Sequence, residues 1–302
     1  MDFDEKYTVD MWCEIIKTAF EGVNFIDTAE VCGLGQSEKL LGGAIQKGVH
    51  EGVFSREDLI ISTKIFFGCK DMATAGTNGQ GSTRKHILEG TQASLKRLGL
   101  DYVDVIFCHR PDPFTPVEET VRAMNYVFNK GWAFYWGTSE WLPSQINEAC
   151  EIADRLNFIR PKSQYNIFER SRVEYAYVDL YKKYKLGLTT WSPLAFYRLV
   201  QLWRAGWHSL HDRQVLDRPY SAGFKGRLTC HITAVNVDRL GCCERKRVDG
   251  AGRASRPSQL KENLEAMAFV GKITPEVKEK IVNFVPAVPE MHSFAFGRSH
   301  FL

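Results

Sequence analysis

The sequence predicts an α/β fold, a (β/α)₈ barrel, and three observations carry that prediction. Apolar strand-like runs alternate with helical patterns along the first two-thirds of the chain. Their starts recur about every 25–45 residues, the length of a βα unit. Polar side chains stand at the run ends: Asp27, Lys64, His109, Ser139, Gln164 and Ser192. In a barrel all these ends meet at one face, where active sites lie, so residues distant in sequence converge.

The strand runs are "NFIDTA" (24–29), "LIISTK" (59–64), "YVDVIFCH" (102–109), "AFYWGTS" (133–139), "PKSQYNIF" (161–168) and "GLTTWSP" (187–193). Several are continuously apolar, as strands buried on both faces must be. The first helix pattern places Thr8 ahead of Val9, Trp12, Ile16 and Ala19, with Gly22 closing. In "TPVEETVRAMNYVFNKG", Thr115 fits an N-cap, Pro116 the first helical position and Glu118 a capping box. Val117, Val121, Met124 and Phe128 share a face, and Gly131 suits the position after the helix. Residues 69–83 read as a flexible loop near the site mouth. An open dinucleotide-binding sheet requires GxGxxG after its first strand, and Gly33-Leu34-Gly35 lacks the third glycine.

Composition narrows the function classes. The 302 residues are 44% hydrophobic and 25% charged with a net charge of +3, which suits one large α/β domain or two smaller ones, the barrel reading taking 1–302 as a single domain, and no electrostatic case for nucleic acid arises. No apolar run reaches the roughly 18 residues of a membrane span. The acidic "MDFDEKYTVD" is unlike a signal peptide. The eight cysteines are scattered without CxxC, which reads as reduced cytoplasmic thiols with no metal site.

The motifs "GVNFIDTAEV", "ISTKIFFG", "RKHILEG", "LDYVDVIFCHRPDP", "YWGTSEW", "TTWSPLA" and "ASRPSQLKENLEAM" occur in this order. The chain thereby resembles the aldo-keto reductase family of TIM barrels. It is most similar to the branch that holds the β subunits of voltage-gated potassium channels. That resemblance implies NADPH-dependent carbonyl reduction, in which a tyrosine gives the proton, a lysine and an aspartate tune it, and a histidine or asparagine orients the carbonyl. Asp27, Lys64 and His109 match three of these positions. The tyrosine position, five residues after Asp27, is Cys32. Taken singly, a strand-end lysine, a buried histidine or an aspartate before a helix has an ordinary structural explanation; the family order makes them a site.

A thiol starts near a pKa of about 8.5, and Lys64 would lower it toward thiolate, which cannot donate. Weakened reduction is therefore expected, unless Cys32 is only a small hydrophobe tolerated in a loop. The resemblance further implies that Ser139, Gln164 and the region of Tyr165 and Asn166 hold the carboxamide. Trp191, Ser192, Pro193 and Leu194 would lie near the pyrophosphate. Ser255, Arg256, Gln259, Glu262 and Asn263 would take the 2′-phosphate and adenine, in keeping with the suitability of Arg for a phosphate.

Two departures from the family pattern stand out. "MDFDEKY" cannot supply the family's first strand, so the barrel is expected to be incomplete. Segment 196–253 has no family counterpart and leaves the eighth strand unclear; "RLTCHITAV" (227–235) is its one β-like run. That segment fits an atypical insert, a mistranslated stretch or a faulty gene model. Three functions compete: an NADPH-dependent reductase of a small carbonyl substrate, a cofactor-binding sensor or channel subunit, and a truncated relative without function. A channel partner and a homo-tetramer are implied by the resemblance alone.

Overall fold

The computed structural model describes residues 7–70, 76–153, 160–165, 169–191, 231–236, 248–253, 257–265 and 274–284. Eight strands close into a barrel in the order β1-β2-β3-β4-β5-β6-β8-β7. They are β1 (Phe25–Asp27), β2 (Ile60–Ile65), β3 (Val103–Cys108), β4 (Ala133–Ser139), β5 (Arg160–Gln164), β6 (Leu188–Trp191), β7 (His231–Asn236) and β8 (Val248–Arg253). Six strands run parallel from β1 to β6, and β8 joins parallel to β6. β7 is antiparallel to both β8 and β1 and closes the ring. The departure from a full eightfold βα repeat thus takes a definite form: seven parallel strands and one reversed. Part of the "RLTCHITAV" run supplies that reversed strand. The rest of 196–253, apart from β7 and β8, lies outside the described residues.

The helices are α1 (Val9–Phe20), α2 (Gln36–His50), α3 (Arg84–Leu98), α4 (Val117–Asn129), α5 (Pro143–Ala153), α6 (Val178–Tyr184), α7 (Pro257–Glu265) and α8 (Pro275–Phe284). Strand parity sorts the packing. Ile26, Ile61, Ile106 and Trp136 join the helices in the main core, while Phe25, Val105 and Phe107 form a separate cluster inside the barrel. Gly42 of α2 marks the close approach of α3, because a Cβ there would lie 2.0 Å from the Leu98 carbonyl oxygen.

Two local expectations need correction. Thr115 does not cap α4; Pro116 takes that place without a side-chain hydrogen bond. Asp112 captures the Thr115 hydroxyl at 2.8 Å, and Glu118 pairs with Arg122 instead of reaching back. The C-terminus follows the sequence reading. Gly131 takes φ 71°, Gly131 N–H donates to Phe128 and Trp132 N–H to Val127, which satisfies the last carbonyls. The described part of the 69–83 loop is tied down. Gly81 N–H donates to Phe66 O at 2.7 Å and Ser82 N–H to Asp112 at 2.7 Å.

Candidate active site

The site begins with β1, whose three residues are all buried. Register pairs Asp27 with Ser62 on β2 and Lys64 with Phe107 on β3. Asp27 and Lys64 therefore face the barrel interior together. Asp27 is 1% exposed and Lys64 5%. Lys64 Nζ donates to Asp27 Oδ2 at 2.6 Å and also to Thr28 O. Ser62 Oγ donates to Asp27 Oδ1 at 2.5 Å. A buried ion pair is tolerable when further hydrogen bonds support it; here Ser62 Oγ donates to the second Asp27 oxygen and Thr28 O gives Lys64 a second acceptor. His109 directly follows β3, and its N–H donates to Ile65 O at 3.0 Å, so it shares the rim with Lys64. The Phe67 ring meets the His109 ring edge-on, with centroids 5.1 Å apart.

Cys32 lies in the turn between β1 and α2. Its N–H donates to Ala29 O, and Ser37 N–H donates back to Cys32 O. The next three residues, Gly33, Leu34 and Gly35, have φ of 62°, 52° and 86°. The glycine pair is thus explained by a left-handed turn into α2, with no phosphate loop required. Cys32 is half-buried, and burial raises its thiol pKa. Lys64 pulls the other way, while Asp27 and Glu38 push it up further. The expected drift toward thiolate is overturned: sequence identifies the lysine but not the lost solvation, and desolvation wins. Cys32 keeps its proton.

Burial also raises Cys13 and Cys108, and pushes Cys69 up to about 12. These groups hold their protons more tightly folded than unfolded. Their contribution to stability is therefore fully present below the ordinary thiol pKa of about 8.5 and is lost as pH rises from there toward the folded values. The urea midpoint should fall as pH rises above about 8.5 toward the value of about 12 that Cys69 reaches in the folded chain, and a midpoint rising over that range would contradict the assignment.

Two buried carboxylates near the site, Glu38 and Glu30, were not anticipated. Glu38, fully buried, accepts from Thr63 Oγ1 at 2.6 Å and from Arg97 Nε at 2.6 Å. Glu30 accepts the N–H groups of Phe66 and Gly68 and lies 3.1 Å from His86 Nε2. Glu38 had a signal: it occupies the stripe of Leu41 and Ile45, where an apolar residue belongs. Glu30 had none, because its partners lie more than thirty residues away.

The remaining expected residues line up along the rim as far as they are described. Ser139 ends β4 and is buried. Gln164 and Trp191 end β5 and β6 and are paired in register. β8 runs parallel to β6, so α7 begins near the same barrel end, carrying Gln259, Glu262 and Asn263. The side chains of Gln164, Trp191, Gln259, Glu262 and Asn263, and the whole of Asn166, Ser192, Pro193, Leu194, Ser255 and Arg256, lie outside the described residues.

The model of the aldo/keto reductase family matches residues 3–202. The chain belongs to that family. It is 42% identical to a probable voltage-gated potassium channel subunit beta of Arabidopsis thaliana, over 89% of this chain and 85% of the relative. The corresponding rice protein (Oryza sativa subsp. japonica) is 40% identical over the same shares. A putative voltage-gated potassium channel subunit beta of Schizosaccharomyces pombe is 36% identical over 94% of this chain and 87% of its own length. Among solved structures, the thermostable aldo-keto reductase Tm1743 in complex with the inhibitor epalrestat superposes with a TM-score of 0.66. It is 25% identical and covers 94% of this chain and 89% of its own. As in other aldo/keto reductases, the barrel is the scaffold. Among the described residues no helix is long and apolar enough to cross a membrane.

Proposed function

We propose that this aldo/keto reductase is an NADP-dependent oxidoreductase of small aldehydes or ketones whose carbonyl reduction is weakened at the proton-donating step. The observation that carries the reading is the buried Lys64–Asp27 pair, with Cys32 beside it. Lys64 holds a positive charge close to where negative charge develops on the carbonyl oxygen. Asp27, Ser62 and Thr28 O fix that charge in place. His109 offers a ring nitrogen to orient the carbonyl. Cys32 retains a proton but is a weak donor with a short side chain. It brings a smaller share of the roughly 10²–10⁴-fold that general acid catalysis supplies.

The residues fit a nicotinamide dinucleotide. The buried Ser139 hydroxyl and the Gln164 amide are each donor and acceptor, as a carboxamide requires. Trp191, Ser192, Pro193 and Leu194 would flank the pyrophosphate. Ser255, Arg256, Gln259, Glu262 and Asn263 would take the 2′-phosphate and adenine. When bound, NADPH supplies the hydride. Fluorescence titration of the whole chain with NADPH and NADH tests this reading. NADPH should bind more tightly, and Arg256→Ala should weaken NADPH by about tenfold while leaving NADH nearly unchanged. Equal affinity for both in the unmutated chain would remove the NADP assignment.

The names of the relatives and the weak donor favour a second reading: a cytoplasmic channel-associated subunit that binds NADPH and turns it over little. Tight NADPH binding without measurable turnover, together with capture of a potassium channel's cytoplasmic segment, would select it.

A further inference from the structure

Glu30 is a buried carboxylate that the catalytic reading leaves unused. It is 1% exposed, and a charge so placed needs strong partners. One oxygen, Oε1, receives Phe66 N–H at 2.6 Å and Gly68 N–H at 2.8 Å. His86 Nε2 of α3 stands 3.1 Å from the same oxygen. The other oxygen, Oε2, faces Gly90 of α3, where a Cβ would come within 3.2 Å. The amides on both sides of Phe67 are thus held by a single atom. Further ties surround the turn. Phe66 O accepts Gly81 N–H, Cys69 Sγ donates to Glu30 O at 3.0 Å, and Gly68 has φ 71° with Gly79 O closing over it. Two side chains lie between the held amides, Phe66 and Phe67, with ring centroids 5.0 Å apart, and it is the Phe67 ring that packs edge-on against His109.

We propose that Glu30, seated by His86, is a positioning residue that sets the orientation of His109 through Phe67. This rests on the reductase reading only in taking His109 as the carbonyl-orienting group. The chain of contacts is short: carboxylate to two amides, the turn they fix to the Phe67 ring, ring to imidazole. An imidazole that turns against its ring neighbour moves its nitrogen off the carbonyl oxygen. A displacement of about 1 Å at such a point costs up to about a hundredfold in rate. The backbone turn, not the Glu30 charge itself, carries the effect, so a neutral acceptor should serve.

The test uses the full chain in the Cys32→Tyr background, with Glu30→Ala, Glu30→Gln and Phe67→Leu. His109 ring resonances are followed in histidine-labelled protein and assigned with His109→Gln; kcat and KM are measured with NADPH and a small aldehyde. Glu30→Ala and Phe67→Leu should each move the His109 resonances and lower kcat about tenfold or more, with the NADPH dissociation constant unchanged. Glu30→Gln should restore both, because its amide oxygen still accepts the two N–H groups. If Glu30→Ala does not fold, Phe67→Leu and Glu30→Gln decide the matter. His109 resonances that stay in place in Phe67→Leu would overturn the proposal. Resonances that move while no variant turns over would uphold the positioning and sink the reductase reading.

Discussion

Cys32→Tyr should raise steady-state reduction of a reactive aldehyde by about 10²-fold, the low end of what a general acid contributes. The phenol brings a stronger donor and a longer reach into the space beside Lys64. Its ordinary pKa of about 10 is brought closer to neutrality by a buried cation. Burial has kept the Cys32 thiol protonated, so the gain comes from donor strength and reach, not from replacing a thiolate. The turn around Cys32 is tight, with backbone bonds from Cys32 N–H to Ala29 O and from Ser37 N–H to Cys32 O. Strain from the larger ring can reduce the gain below its full value. NADPH oxidation is measured for the unmutated chain, for Cys32→Tyr, and for Cys32→Tyr combined with Asp27→Asn and Lys64→Met. Rescue by the first change and its loss in the triple variant would assign the roles. Equal turnover in the unmutated and tyrosine chains would mean that Cys32, or a water beside it, already delivers the proton.

The legible parts of this fold are those governed by local pattern. Runs that are largely apolar mark strands that are largely buried, so "AFYWGTS" and "LIISTK" located β4 and β2 to within a residue, although Phe134, Tyr135 and Ile60 near their starts are exposed. The Lys64–Asp27 pairing was readable because each stands toward the end of its strand's run, and parallel strands bring those ends together. Three features escaped for physical reasons. The reversed β7 closes the ring by pairing that no local periodicity encodes. The Glu30–His86 contact joins residues 56 apart, and a lone Glu in a loop motif carries no period. Cys32 was misjudged because proximity to a cation can be read from a motif, whereas desolvation depends on everything packed around the group. Thr115 failed for a similar reason: a preferred capping residue loses its role when a neighbouring carboxylate, here Asp112, offers a better partner.

Lys64→Met should produce the largest loss of stability among single changes at the site, about 3–5 kcal/mol. The methionine fills most of the volume, so packing is not the cause. Asp27 would stay buried, keeping the Ser62 Oγ hydrogen bond but losing the Lys64 cation, and Thr28 O would lose the Lys64 donor. Removing one member of a buried pair leaves the desolvation cost of the other uncompensated, whereas removing both removes the charge problem altogether. Asp27→Asn combined with Lys64→Met should therefore recover much of the loss, giving a coupling energy within the 0.5–3 kcal/mol seen for interacting neighbours. For the same reason the triple variant above changes Asp27 together with Lys64, so that lost turnover is not mistaken for unfolding. Urea denaturation of the two single variants and the pair completes the cycle. A Lys64→Met midpoint within error of the unmutated chain would mean that Asp27 reaches solvent or another cation. The pair would then be no fixed charge centre for the chemistry, and the rate effect of Lys64 would have to come from its proton alone.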